Sequence, residues 1–159
     1  MTKILITGGT GFVGTQLTSR LVQNGHEVTI LTRSLKKGAK GSPPGIAYLE
    51  GNPTKKGPWQ EAIKNHDTVI NLAGASIFAK WTEEHKKAIR ESRINTTQNI
   101  VEGIPSHPQK QFTLFSTSAV GYYGFCGDEE LTEESPHGED FLARMAVEWE
   151  GEALKAREK

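Results

Sequence analysis

The chain of 159 residues contains one cysteine, Cys126, and therefore no intrachain disulfide. Net charge is also missing, since 19 basic and 19 acidic residues cancel. Bulk attraction to nucleic acid or to an anionic membrane is not expected of such a chain. No apolar run approaches the roughly 18 to 20 residues a membrane helix needs, and no secretory pattern precedes the strand-like start Met1-Thr2-Lys3-Ile4-Leu5-Ile6. His26, His66, His85, His107 and His137 are scattered without metal-ligand spacing, so no metal is expected. Together these absences predict one soluble, cytoplasmic domain.

What is present alternates between two periods. Short β-branched runs at Lys3 to Thr7, Glu27 to Thr32, Ile46 to Glu50, Thr68 to Leu72 and Phe112 to Thr117 read as strands. Between them, Val13, Leu17, Leu21 and Val22 share a helical face that stops at Gly25. Gly57-Pro58-Trp59 opens a short helix through Lys64. Thr82 caps a long helix that carries Glu83 and Glu84 in its first turn and is closed by Pro105. A further helical pattern starts at Glu139 and contains Phe141, Leu142, Met145, Trp149 and Leu154. Residues 34 to 45 and 121 to 138 read as loops. Strand alternating with helix implies an α/β fold with a doubly wound parallel sheet and right-handed crossovers. A hydrophobic content of 35% is low for a sheet covered on both faces, and Arg157-Glu158-Lys159 keeps a helical pattern without a cap. The expectation is that residues 1–159 are the N-terminal portion of a longer protein, truncated before its last strands and substrate lobe.

The first strand runs into Gly8-Gly9-Thr10-Gly11-Phe12-Val13-Gly14 and then into a helix. In this setting Gly8 permits a tight turn, Gly11 lets a pyrophosphate approach the backbone, and Gly14 lets helix and strand pack closely. The pyrophosphate then lies at the positive helix N-terminus. The strand, turn, helix and second strand together make a dinucleotide-binding fingerprint of Rossmann type. The second strand ends Leu31-Thr32-Arg33-Ser34, without the carboxylate that holds the ribose of NAD. Arg33 is free to clamp a 2′-phosphate, with Lys36 and Lys37 adding positive potential, so the expected cofactor is NADP rather than NAD.

Ile4 to Gly14 resembles the start of an extended short-chain dehydrogenase/reductase, the superfamily of the sugar-nucleotide epimerases. Asn71-Leu72-Ala73-Gly74 matches its Asn-Ala-Gly element, and Ser116-Thr117-Ser118-Ala119 matches its serine-rich strand end. Lys80 to Lys86, Glu91 to Thr97, Ser118 to Gly124, Asp140 to Ala143 and Trp149-Glu150 are similar to an atypical, nucleoside-diphosphate-sugar epimerase-like branch of the NAD-dependent epimerase/dehydratases. By that resemblance Gly8, Thr10, Gly11, Phe12, Val13 and Gly14 meet the cofactor's phosphates, and Arg33 and Ser34 hold the 2′-phosphate. Leu72, Ala73 and Gly74 would line the adenosine side, Asn95 would sit behind the nicotinamide half, and Ser118 would bond the substrate oxygen. It also implies a homodimer through the helices at Thr82 to Gly103 and Glu139 to Lys159.

One element of the pattern is absent. The superfamily's Tyr-x-x-x-Lys acid/base pair occurs nowhere in the chain, and the helix that should hold it has no tyrosine. Tyr122 and Tyr123 follow Ser118 closely enough to enter its pocket, and Tyr122 is the candidate proton donor, although Asp128, Glu129 and Glu130 make the adjoining loop acidic. Cys126 lies in that loop and is not read as a nucleophile. Two functional readings stay open. One is an NADP-dependent epimerase or oxidoreductase acting by hydride transfer on a sugar nucleotide or another small carbonyl or hydroxyl compound. The other is a non-catalytic NADP-binding sensor or scaffold.

Overall fold

Apolar residues at alternate positions of five short strands create two core faces, and the helices sort onto them. The computed structural model describes residues 1–35, 44–106 and 111–159; the expectations placed on Lys36, Lys37 and His107 fall outside the described residues. Strands β1 (Lys3–Thr7), β2 (Glu27–Thr32), β3 (Ile46–Glu50), β4 (Thr68–Asn71) and β5 (Thr113–Ser116) form one parallel sheet in the order β3-β2-β1-β4-β5. Ile6 of β1 lies opposite Ile30 of β2 on one side and Ile70 of β4 on the other. The order reverses between β1 and β4, the switch point at which a crevice opens beyond the strands' carboxyl ends in sheets of this kind.

Ile4, Ile6, Val28 and Ile30 form one face, packed against Leu21 and Val22 of helix α1 (Phe12–Gln23). Leu5, Leu31 and Val69 form the other, against Ile100 of helix α2 (Glu83–Gly103) and against Trp59 and Ile63 of a 3₁₀ helix (Pro58–Asn65). Helix α3 (Phe141–Leu154) closes onto α2 through Ile89, Ile94, Met145 and Trp149. The caps are local chemistry. Thr82 Oγ1 accepts from the His85 amide at 3.2 Å, and Asp140 Oδ1 accepts from Leu142 and Ala143 at 2.8 and 3.0 Å.

The structure modifies the sequence reading in several places. Val13 is 60% exposed and Phe12 92%, so burial of α1 begins at Gly14 rather than at Val13. The first turn of α1 stands at the glycine turn beyond the end of β1, where no sheet covers it. Strands β4 and β5 are shorter than the apolar runs that announce them, because the chain leaves the ladder at Leu72 and Thr117. The loop after β5 contains a 3₁₀ turn (Val120–Tyr123), stapled by the Gly138 amide donating to Tyr122 O at 2.9 Å. On α2, Lys86 pairs with Glu83 and Lys87 with Glu91, and Arg90 reaches across to Glu148 of α3. Among the described residues no helix is long and apolar enough to cross a membrane.

One buried polar network ties these layers together. Thr7 Oγ1 donates to Asn71 Oδ1 at 2.6 Å, and Asn71 Nδ2 donates to Thr97 Oγ1 at 2.9 Å. Trp149 Nε1 donates to the same Thr97 oxygen at 2.9 Å, while the Thr97 proton goes to Arg93 O at 2.9 Å. The hydroxyl thus uses its donor and both acceptor sites. Thr7, Asn71 and Thr97 are all fully buried, and Trp149 nearly so. Thr97→Val would leave an amide and an indole N–H buried without acceptors and is expected to cost about 2 to 4 kcal/mol. Thr97→Ser keeps the hydroxyl and is expected to lose about 1 kcal/mol. Chemical denaturation of the two variants, compared with the wild type, measures both.

Candidate functional site

The turn after β1 depends on residues without a Cβ. Gly8 has φ +72, and a Cβ there would stand 2.7 Å from the carbonyl oxygen of Leu72. A Cβ on Gly14 would run into the carbonyl oxygen of Gly8. Glycine at both positions lets β1, α1 and the end of β4 approach closely. Gly11 caps α1 without a side chain, and the first turn carries no acid. The amides of Phe12, Val13 and Gly14 are therefore the open donors of a helix start, a setting that favours an anion.

Beyond the ends of β1 to β4 lies a cavity of about 650 Å³. It brings Gly8, Thr10 and Gly11 together with Arg33 and Ser34 from the end of β2 and with Leu72, Ala73 and Gly74 from the end of β4. Arg33 is exposed. Thr32 Oγ1 holds the turn beneath it, donating to Ser34 O at 3.2 Å. Phe12 and Val13 stand exposed on the first turn of α1, and neither they nor the buried Gly14 line the cavity. Asn95 is half-buried on α2 and lines neither this cavity nor the one beside Ser118.

Sequence reasoning missed the rest of the wall. Asn52, Pro53 and Thr54 enter from the end of β3, and Ser92 and Thr96 from α2. Asn52 Oδ1 accepts from the Thr54 amide and hydroxyl at 3.1 and 2.9 Å, which folds this segment into a tight turn. Asn99 Nδ2 donates to Pro53 O at 2.9 Å and fastens the turn to α2. Ser92 Oγ accepts from the Ala75 amide at 2.8 Å and donates to Ile89 O at 2.9 Å. Arg93 lies beneath the same loop, where Nη1 donates to Ala75 O and Ile89 O, both at 3.1 Å, and the guanidinium carbon stands 5.4 Å from the Trp149 ring centre. Burial draws this guanidinium down from the usual arginine range. Although Ser92, Arg93 and Thr96 lie in the family-like stretch Glu91 to Thr97, their places in the wall were not readable, because their roles come from α2 packing across the ends of β3 and β4.

A second cavity, of about 540 Å³, lies between the end of β5 and α3. Ser118 opens onto it, and its hydroxyl donates to Glu150 Oε1 of α3. Tyr122 does not line this cavity. Its ring packs edge-on against Tyr123 and His137, with centroids 5.2 and 6.0 Å away. Thr117 Oγ1 donates to Asn71 O at 2.9 Å and so fixes the approach to Ser118. Trp81, at the entrance to α2, packs on Phe141 at 5.7 Å and donates to Ile77 O, an anchor for its helix. Among the described residues no cluster of His, Cys, Asp or Glu could hold a metal ion.

Comparison with known proteins places this geometry in context. The chain is 39% identical over 159 residues to the chloroplastic epimerase family protein SDR39U1 homolog of Arabidopsis thaliana, covering 96% of this chain and 44% of that protein. Human epimerase family protein SDR39U1, solved with NADPH, superposes with a TM-score of 0.72 at 31% identity, covering 95% of this chain and 48% of that one. The nucleoside-diphosphate sugar epimerase of Corynebacterium glutamicum superposes with a TM-score of 0.76 at 36% identity, covering 98% of this chain and 31% of that one. The chain spans about half the length of the curated relatives it matches. Residues 4–157 match the family model described as NAD dependent epimerase/dehydratase, and with the parallel sheet and the glycine turn already established, the chain belongs to that family.

Proposed function

We propose that the chain binds NADP in the crevice beyond β1 to β4 and serves hydride transfer to or from a small hydroxyl or carbonyl compound, a sugar nucleotide among them. The observation that carries this reading is the single cavity joining the glycine turn to Arg33 and Ser34. The residues fit the group. Open amides at the start of α1 suit a pyrophosphate. The space between the ends of β2, β3 and β4 suits an adenosine. Arg33 stands at the strand end, where NAD-binding proteins place a carboxylate, and it suits a 2′-phosphate. The human relative solved with NADPH supports the same choice. When bound, the nicotinamide supplies the hydride chemistry, and the protein supplies position and electrostatics.

The missing Tyr-x-x-x-Lys favours a second reading, an NADP-binding sensor or scaffold without turnover. The retained Ser118, held at the end of β5 and facing a cavity, favours the enzyme.

Calorimetric titration is expected to show NADPH binding more tightly than NADH by about tenfold or more, since one lost charge-assisted contact amounts to about 1.5 to 3 kcal/mol. Arg33→Ala is expected to remove that preference while leaving NADH binding in place. Equal affinities in the wild type would discard the NADP assignment, and absence of binding by either would discard the crevice as a cofactor site. For turnover, the protein at its natural length is expected to change NADPH absorbance when offered a panel of sugar nucleotides and small carbonyl compounds. Binding without any absorbance change across the panel would replace the enzyme reading with the sensor.

A further inference from the structure

This inference rests on the NADP-dependent reading and concerns the proton that must move when the hydride does. We propose that Ser118 and Glu150 form a proton relay in place of the absent Tyr-x-x-x-Lys pair, Ser118 Oγ taking the proton of a substrate hydroxyl and passing its own to Glu150.

Three observations converge on the pair. First, the Ser118 hydroxyl donates to Glu150 Oε1, although the two are 32 residues apart and come from different elements. A serine has one proton, and here it is committed to the carboxylate. Both lone pairs of Ser118 Oγ are left to accept from a ligand. The serine is thus set to receive a proton from an alcohol rather than to donate one to a carbonyl. Second, the pair faces a cavity of about 540 Å³, so a ligand has access to the accepting side. Third, the direction of Glu150 is fixed by its neighbour in sequence. Trp149 is 4% exposed, held by its bond to Thr97 and by the Arg93 guanidinium above its ring. That anchor sets the rotation of α3, and the next residue, about 100° further round the helix, points to the end of β5.

The balance of the step is simple. As the carbinol C–H leaves as hydride to the oxidised nicotinamide, the C–O bond gains its double-bond character and the O–H proton moves to Ser118 Oγ. The original Ser118 proton moves to Glu150 Oε1, and the protonated carboxyl exchanges with water through the open cavity. In the reverse direction Glu150 returns the proton through Ser118 to the nascent alkoxide. Glu150 acts through Ser118 and is a positioning and proton-storing residue, while Ser118 touches the reactant.

Most other charged groups around α3 are engaged elsewhere, Arg157 being the exception. Arg90 is paired with Glu148, Arg144 with Glu139 and Lys155 with Glu152. Arg93 lies over Trp149, and Arg157 lines the same cavity as the pair. Tyr122 and Tyr123 are the titratable groups of the 3₁₀ turn packed on α3.

The test has a static arm and a kinetic arm. In isotope-edited infrared difference spectra of the apo protein, Ser118→Ala is expected to shift the carboxylate stretch of Glu150, because the O–H···O contact is lost; an unchanged band overturns the pair. In the kinetic arm, reduction of NADP by UDP-glucose is followed across pH with the protein at its natural length. Glu150→Gln is expected to lower kcat by about a hundredfold with KM for NADP unchanged, and to remove the acid-side fall of the wild-type profile. Glu150→Asp is expected to restore part of the rate together with that fall. A Glu150→Gln profile identical to the wild type overturns the relay. Wild-type protein that binds NADPH but moves no hydride from the probe also overturns it and leaves the cofactor site standing, whereas failure to bind NADPH removes the underlying reading itself.

Discussion

The rest of the structure depends on the amide of Asn71. Its oxygen accepts from Thr7 at the last position of β1, and its nitrogen donates to Thr97 in the middle of α2. Its own backbone carbonyl accepts from the Thr117 hydroxyl after β5. One fully buried residue, through its side chain and its carbonyl, therefore fixes the ends of three strands and the height of the helix that crosses them. An amide so far from water is tolerated only when its donors and acceptors are matched. The matching residues occupy defined places: the threonine before the glycine turn, the threonine under the tryptophan, and the threonine before Ser118. Both cavities open from strand ends that this network holds.

Glycine acts on the same region by the opposite means. Where Asn71 supplies contacts, Gly8 and Gly14 supply the lack of them, letting the end of β4 and the start of α1 close to distances no side chain would allow. The crevice is shaped by a polar group that has to be present and by methyl groups that have to be absent. This explains how a cavity of about 650 Å³ can lie so near a tightly packed sheet.

Most of the fold and part of the site were legible in the sequence. The glycine turn, the caps at Thr82 and the strand runs are readable because their causes are local: backbone sterics, one side chain meeting one amide, and alternation along a few residues. Arg33 and Ser34 were readable because the end of the second strand must reach the crevice in this topology. Val13 was misread because helical periodicity reports which residues share a face, and not where the sheet beneath that face ends. Asn52 carried no signal, and Thr96 and Glu150, though they lie in stretches that resemble the family, were given no role at the site. Each acquires a role only when α2 and α3 settle at a particular height and rotation, which many tertiary contacts decide together. Glu150 stood in the sequence beside Trp149 as part of a stretch that resembles the family, and only its tertiary position brings it to Ser118.

The separation along the chain of the partners in the Asn71 network has a consequence for how the molecule is made. Thr7 and Asn71 are 64 residues apart, and Thr97 and Trp149 are 52 apart. During synthesis, β1, α1 and β2 are complete long before β4 emerges, and α2 waits longer still for α3. The glycine turn therefore exists first as a flexible loop without its backstop at Leu72. It acquires that backstop only when β4 pairs with β1. Parallel pairing already carries the cost of long loop closures, and here the crevice is among the final features to form. A nascent chain would gain affinity for a dinucleotide only once β4 has paired with β1 and α2 has packed across the strand ends.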